Sequence, residues 1–308
     1  MPSLIPVCHN RLTKKRLNAM ISSRSRHLSG AAIALTATLA ASILSIPCTS
    51  QAEDSASGYP ARTIRIVVPF PAGGTADILP RIVAEKLRER WKQPVIIENR
   101  SGAGGNIGAE FVAASPPDGY MLLASPPGPI AINETLYKTL PFRPADLEPI
   151  TVLGSVPNVL AVRLGFPAQT AKDVIEYSKA NPGKVSFASQ GNGSTSHLTA
   201  VLFQKLTGSQ MVHIPYRGTT PALQDLMGDN VDMFFDNLGS SLNLHLGGKI
   251  RILAVGGAER VSSLPDIPTV REAGVPDFQS VTWFALMAPH QTPDAIVARL
   301  NTTITEIL

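Results

Sequence analysis

Apolar residues along this chain recur with two alternating periods. Thr63-Ile64-Arg65-Ile66-Val67-Val68 is a short β-branched run ended by Pro69, and it predicts a strand. Pro71-Ala72-Gly73-Gly74 then forms a loop. From Thr75 to Trp91 the period becomes helical, with Ile78, Ile82, Leu87 and Trp91 on one side and Arg and Glu on the other. Residues 95–98 predict a second strand, residues 102–114 a glycine-led helix, and residues 119–124 a third strand. Strand, loop, helix, strand is the sequence of a parallel sheet with crossover helices.

The same pattern returns over residues 161–257. Thr170 caps a helix that runs to Ala180, and residues 185–188 predict a strand. Residues 196–207 predict a helix, 211–214 a strand, 220–227 a helix, and 231–235 and 250–255 two further strands. Each set carries a Gly/Ser/Thr loop at the C-terminal end of a strand. The expectation is an α/β fold of two lobes facing a cleft.

The first 52 residues follow another pattern. Arg11, Lys14, Lys15, Arg16, Arg24 and Arg26 precede an apolar run from Gly30 to Ile46, and Thr49-Ser50-Gln51-Ala52 ends it with small residues. Basic, apolar and small-x-small segments in that order predict a secretory signal peptide cut after Ala52, with translation from Met1 or Met20. The apolar run is short of the ~20 residues a membrane span needs. Pro47 before Cys48 excludes a lipoprotein cut. Removing the leader changes the charge. The whole chain carries 27 Lys+Arg and 23 Asp+Glu, and without the six leader cations 21 basic residues face 23 acidic ones. A mature chain of net charge −2 implies no nucleic-acid partner. Both cysteines, Cys8 and Cys48, leave with the leader, which excludes a disulfide scaffold, a Cys-metal site and a thiol nucleophile.

Ligands in parallel sheets sit beyond the carboxyl ends of strands. Two loops occupy that position, Pro71 to Asp77 and Ser189 to Thr195. Their glycines admit a ligand close to the backbone, and the free N–H groups of the following helices favour an anion. The alternative is simple helix capping by Thr75 or Thr195. Neither loop contains Arg or Lys, so the anion would be held by neutral dipoles, directly or through water. Asp77 either receives a ligand amine or hydroxyl or complements its helix dipole.

Enzyme readings find no support. There is no G-x-S-x-G elbow and no H-E-x-x-H pair, and His197, His213, His245 and His290 are scattered. Gly102-Ala103-Gly104-Gly105-Asn106-Ile107-Gly108 departs from the dinucleotide fingerprint, which needs glycine where Ile107 stands. No catalytic residue, metal ligand or cofactor is expected. Trp283 is expected to pack between the lobes.

Several of these segments together resemble a known family. Pro69-Phe70-Pro71-Ala72-Gly73-Gly74-Thr75-Ala76-Asp77, Ser101-Gly102-Ala103-Gly104-Gly105-Asn106-Ile107-Gly108, Ser189-Gln190-Gly191-Asn192-Gly193-Ser194-Thr195-Ser196-His197-Leu198 and Pro215-Tyr216-Arg217-Gly218 resemble the Bug family, the substrate-binding components of tripartite tricarboxylate transporters. The resemblance spans essentially the whole mature chain. It implies a two-lobed periplasmic binding protein of Venus-flytrap, type II-like form, each lobe a mixed sheet flanked by helices. Residues 53–160 plus 258–308 would form lobe 1, and 161–257 lobe 2. It implies a small carboxylate held by Phe70, Ala72, Gly73, Thr75 and Asp77 from one lobe and Ser189, Asn192, Ser194 and Thr195 from the other, with Ser125, Tyr216 and Asp236 as cleft neighbours. The implied partners are membrane permease subunits, and the protein would be a periplasmic monomer. A ligand sensor docking on the ectodomain of a signalling kinase would use the same cleft.

Two departures from the family stand out. Ser125-Pro126-Pro127-Gly128-Pro129 is stiff and poor in donors where relatives are rich in Ser, Thr and Gly. The chain also stops at Leu308, inside a helix begun near Pro293, where relatives continue through further helix and strand. Lost packing there is expected to weaken the first lobe.

Overall fold

The computed structural model describes residues 58–308, so the leader expected over residues 1–52 lies outside the described residues. The chain runs β1 (Ile64–Val68), α1 (Thr75–Trp91), β2 (Val95–Asn99), α2 (Asn106–Ala113), β3 (Met121–Ser125), a short α3 (Asn133–Leu136) and β4 (Leu147–Val162). It continues with α4 (Ala171–Ala180), β5 (Val185–Ser189), α5 (Thr195–Thr207), β6 (Met211–Pro215), α6 (Thr219–Met227) and β7 (Met233–Asn237). The last elements are α7 (Leu238–Leu246), β8 (Arg251–Val255), β9 (Val281–Pro289) and α8 (Asp294–Thr305).

Side-chain alternation along the strands gives each lobe a core on both faces of its sheet. In β1, Ile64, Ile66 and Val68 meet Leu87 of α1 and Leu300 of α8, whereas Val67 joins Val112 of α2 on the other face. β1 lies parallel between β2 and β3, and β9 runs antiparallel between β3 and β4. In the second lobe, Leu160 and Val162 of β4 join Phe187, Phe203 and Phe235, while Val159 and Ala161 pack with Leu223 and Leu226 of α6. There β5 is parallel to β6 and β7, and β4 is antiparallel to β7 and β8. Burial on both faces explains why these strands read as near-continuous apolar runs.

The capping expectation for α4 holds. Thr170 accepts from the N–H of Asp173, whose carboxylate accepts from the N–H of Thr170. The expected buried side of α1 is corrected. Ile78 and Ile82 are 40% and 56% exposed, and the buried stripe contains Pro80, Val83, Ala84 and Leu87. Leu87 stands roughly 140° around the helix from Ile82, so the sheet can accept only one of the two. Trp283 is also corrected: it packs on the first-lobe core beside Leu123 and Phe142, not between the lobes.

The lobes are joined through β4. Its first part pairs with β9 as far as Pro157, and from Asn158 onward it pairs with β7. The chain returns beside this crossing at Gly256 and Ser280. Gly256 N–H donates to Asn158 O at 2.6 Å, Ser280 N–H to Gly256 O at 2.7 Å, and Asn158 N–H to Ser280 O at 3.1 Å. A Cβ on Gly256 would lie 2.8 Å from Asn158 O and 3.0 Å from Ser280 O, so glycine permits this close approach. Three short backbone segments thus form the hinge. No helix among the described residues is long and apolar enough to cross a membrane.

Candidate functional site

The two loops singled out in the sequence meet face to face. In the first lobe Gly74 is the N-cap of α1 without a side-chain cap, and Thr75 is its first residue. In the second lobe Ser194 is the N-cap of α5, its Oγ accepting from His197 N–H at 3.3 Å and donating to Gly191 O at 2.7 Å. Neither Thr75 nor Thr195 is a cap, and their hydroxyls reach across the junction instead. Thr75 Oγ1 lies 2.8 Å from Ser240 Oγ, which also accepts from Thr75 N–H at 3.1 Å. Thr195 Oγ1 lies 2.7 Å from Thr282 Oγ1, which belongs to the hinge end of β9. A further bridge runs from Thr220 Oγ1 to the carbonyl of Ala72 at 3.0 Å.

These contacts hold the lobes together around a small void. Its walls include Phe70, Pro126 and Phe284 on one side and Gln190, Thr219 and Asn237 on the other, and it holds about 10 Å³, room for one water. Backbone N–H groups remain available beside it. Those of Gly74 and Ala76 in the first lobe, and of Thr195 and Ser196 in the second, have no acceptor among the described residues. The first N–H groups of a helix have no acceptor within it, and the helix dipole aligns with them. The junction therefore offers unused donors from two helix starts.

Asp77 is turned inward. It is 3% exposed, and its carboxylate accepts from Gly73 N–H at 3.1 Å, Asn99 Nδ2 at 2.9 Å and Arg81 Nε at 2.9 Å. Burial alone would raise its pKa. The hydrogen bonds from Arg81, Asn99 and Gly73, with the Arg81 charge, outweigh burial and hold it below the usual carboxylate range. Its role in this arrangement is to shape the Pro71–Gly74 turn, where Gly73 has φ +95°. Asn99 also donates to the carbonyl of Phe70 at 2.9 Å, which fixes the loop from the other end.

The remaining sequence-chosen residues surround this junction at different depths. Ser189 is fully buried and its Oγ lies 2.6 Å from His213 Nε2. Ser125 is fully buried and donates to its neighbour Pro126 O at 2.9 Å. Asn192 is exposed, and its carbonyl faces Gly104 of the first lobe. Tyr216 turns its hydroxyl away, donating to Asp225 Oδ2 at 2.7 Å; burial first, then Asp225, pushes its pKa up to about 12. Asp236 is fully buried under Gln190, accepting from Gln190 Nε2 at 3.1 Å and Ser241 Oγ at 2.8 Å. Burial raises its pKa to about 7 against the hydrogen bonds that lower it.

Sequence reasoning missed Ser240, Thr219 and Gln190 as junction residues. Gln190 stood within a loop already chosen. Ser240 lies in the first turn of α7, directly after β7, in Asn237-Leu238-Gly239-Ser240-Ser241, a third small-residue stretch at a strand's carboxyl end, which was the available signal. Among the described residues no group of His, Cys, Asp and Glu could hold a metal ion.

Comparison with known proteins agrees with this architecture. Residues 79–308 match the family described as the tripartite tricarboxylate transporter family receptor, TctC. Protein BugT of Bordetella pertussis is 40% identical over 256 residues, covering 82% of this chain and 78% of that protein. Rpa4515 of R. palustris, solved with adipate, superposes with a TM-score of 0.79 at 41% identity, covering 80% of this chain and 83% of that one. MatC (Rpa3494) from Rhodopseudomonas palustris, solved with bound malate, gives 0.77 at 34% identity, covering 81% and 85%. With both lobes, the hinge and the paired loops accounted for, the chain belongs to the TctC receptor family of tripartite tricarboxylate transporters and is a solute-binding protein.

Proposed function

We propose that this protein captures a small carboxylate between its lobes in the periplasm and delivers it to the membrane permease subunits of a tripartite tricarboxylate-type transporter. The observation that carries this reading is the pair of facing helix starts, whose unused N–H groups at Gly74, Ala76, Thr195 and Ser196 can surround one carboxylate. Relatives solved with adipate and malate support the ligand class. Capture without a counter-charge in the loops suits reversible binding. Phe70 and Pro126 would exclude bulk water, Ser189, Ser194 and Asp236 would hold the second-lobe loop, and Asp77 the first. Lobe 1, expected over residues 53–160 plus 258–308, would on this reading end at the crossing at 157–158 and resume after 280, because Val270, Val275 and Phe278 pack with the second-lobe core. The protein would reach the periplasm after cleavage near Ala52.

A thermal-shift screen of the mature protein against mono-, di- and tricarboxylates tests the reading. A ligand at 100 times its Kd should add about 2.7 kcal/mol of stability. Stabilisation by sugars or amines, and by no carboxylate, would remove it.

A further inference from the structure

A buried carboxyl stands behind the interlobe void with no cation to balance it. Asp236 is fully buried, and it accepts from Gln190 Nε2 at 3.1 Å and Ser241 Oγ at 2.8 Å. The strands beside it, β5 and the Asn158–Val162 part of β4, carry no charged residue. The titratable groups of the helices packed on β7 are engaged elsewhere. Asp225 of α6 accepts from the Tyr216 hydroxyl, His245 of α7 from Ile252 N–H and His197 of α5 from Gly193 N–H. Lys205 of α5 is exposed, and across the junction Asp77 is bound to Arg81. Burial outweighs the hydrogen bonds at Asp236 and brings its pKa to about 7. Gln190 connects this carboxyl to the void, whose wall includes both Gln190 and Thr219. Its Nε2 uses both hydrogens, one on Asp236 Oδ1 and one on Thr219 Oγ1 at 2.9 Å. Its Oε1 has no partner among the described residues.

We propose that Asp236 and Gln190 form a proton-linked switch of cleft polarity, so that capture of a carboxylate takes up a proton at Asp236. The inference rests on the carboxylate reading above and adds to it a regulation by pH. An ionised carboxylate only accepts, so it holds the Gln190 amide by its nitrogen and leaves the unpartnered oxygen for a ligand. That oxygen repels an arriving carboxylate, and so does the buried negative charge behind it. A protonated Asp236 donates instead. It and the Thr219 hydroxyl can then both donate to Gln190 Oε1 once the amide has turned over. The amide nitrogen is released to the ligand as a further donor beside the helix starts. A carboxylate therefore binds the protonated form more tightly, and by reciprocity its binding raises the proton affinity of Asp236. Affinity is complete below the pKa of the unliganded group and falls as the pH rises through it. Asp236 acts through Gln190 and is a positioning residue.

The experiment is calorimetric titration of the mature protein with acetate, adipate, malate and tricarballylate between pH 6 and 8.5. Pairs of buffers that differ in ionisation enthalpy count the protons taken up. The expected result near pH 7.5, where these ligands are already ionised, is uptake of about half a proton or more per ligand, with a Kd that rises by up to about tenfold per pH unit above 7. Asp236→Asn has no titrating proton at this position, so D236N should show no uptake and a flat pH profile. Gln190→Met keeps the length of the side chain without the amide, so Q190M should weaken binding more at pH 6 than at pH 8.5. No uptake by the wild type, or uptake that persists in D236N, overturns the switch and leaves carboxylate capture standing. The same holds if Q190M weakens binding equally at both pH values. Binding of none of the four at any pH removes the carboxylate reading and this inference together. Melting curves check that both variants fold; if D236N does not, the wild-type proton count and the Q190M profile decide.

Discussion

Two histidines lie beneath the second-lobe loop. His197 and His213 stack 4.1 Å apart, and His213 stacks on Phe187 at 4.8 Å. His197 Nδ1 accepts from Gly193 N–H at 3.3 Å, and His213 Nε2 lies 2.6 Å from Ser189 Oγ, so both rings support the loop. Burial holds both pKa values down, and the neighbouring His197 helps bring His213 to about 4. Neither ring has an ion-pair partner among the described residues. In the unfolded chain both titrate near 6.5. As the pH falls through that value the unfolded chain takes up protons that the folded chain refuses. Stability from this pair is therefore present above pH ~6.5 and is lost as the pH falls toward 4. Asp236 acts in the opposite sense. Its folded pKa of about 7 lies above its ordinary value, so its contribution is complete at low pH and fades as the pH rises through 7. Melting curves of wild type and His213→Gln between pH 7 and 4 separate the two groups. The wild type should lose more than the variant on acidification, and parallel losses would show that the stack does not report on pH.

At the scale of elements, β4 and the hinge beside it decide the architecture. β4 is 16 residues long, well above an average strand, and belongs to both sheets. The period-two pattern is broken along its first part by register shifts between Pro149 and Thr151 and between Val152 and Gly154. This is why residues 147–156 do not read as a strand: the buried positions Leu147, Ile150 and Leu153 fall every third residue. The 256–280 return is equally tight. Gly256→Ala would press a methyl against two backbone carbonyls that cannot move without parting the hinge segments. The expected loss is about 1–3 kcal/mol, as in other overpacked sites. Urea denaturation reads it as a lower midpoint, and a midpoint equal to wild type would show that the hinge can spread without penalty.

At the scale of the molecule, the proposed capture of a ligand between the lobes couples binding to closure. The Thr75–Ser240 and Thr220–Ala72 hydrogen bonds connect different lobes, so they exist only when the lobes are together. They favour the closed arrangement without belonging to either core. Apparent affinity scales with the population of the binding-competent state. Removing both bridges with Ser240→Ala and Thr220→Ala should shift that population, each lost bond contributing about 0.5–1.5 kcal/mol. The expected result is a Kd raised roughly tenfold by calorimetry, with the unliganded melting temperature almost unchanged. An unchanged Kd would mean that ligand contacts alone set closure.

The residues by themselves determined much of this protein. The strand-helix alternation, α1 from Thr75 to Trp91, the Thr170 cap and the two glycine-rich loops were legible because each rests on contacts within a few residues. Family membership was legible too, since it rests on ordered motifs. Four features were decided only by the tertiary structure. The sheet chose which apolar stripe of α1 to bury, leaving Ile78 and Ile82 exposed. Side-chain partners turned Asp77 and Tyr216 inward, although both stand beside the junction in the sequence. Ser240, 165 residues from Thr75, became its partner through the crossing of β4. Arg217 came to line a groove whose other wall comes from the opposite lobe. Local hydrogen bonds and periodicity are encoded over short stretches of chain, whereas these four depend on which surfaces meet, and that is settled only when both cores have formed.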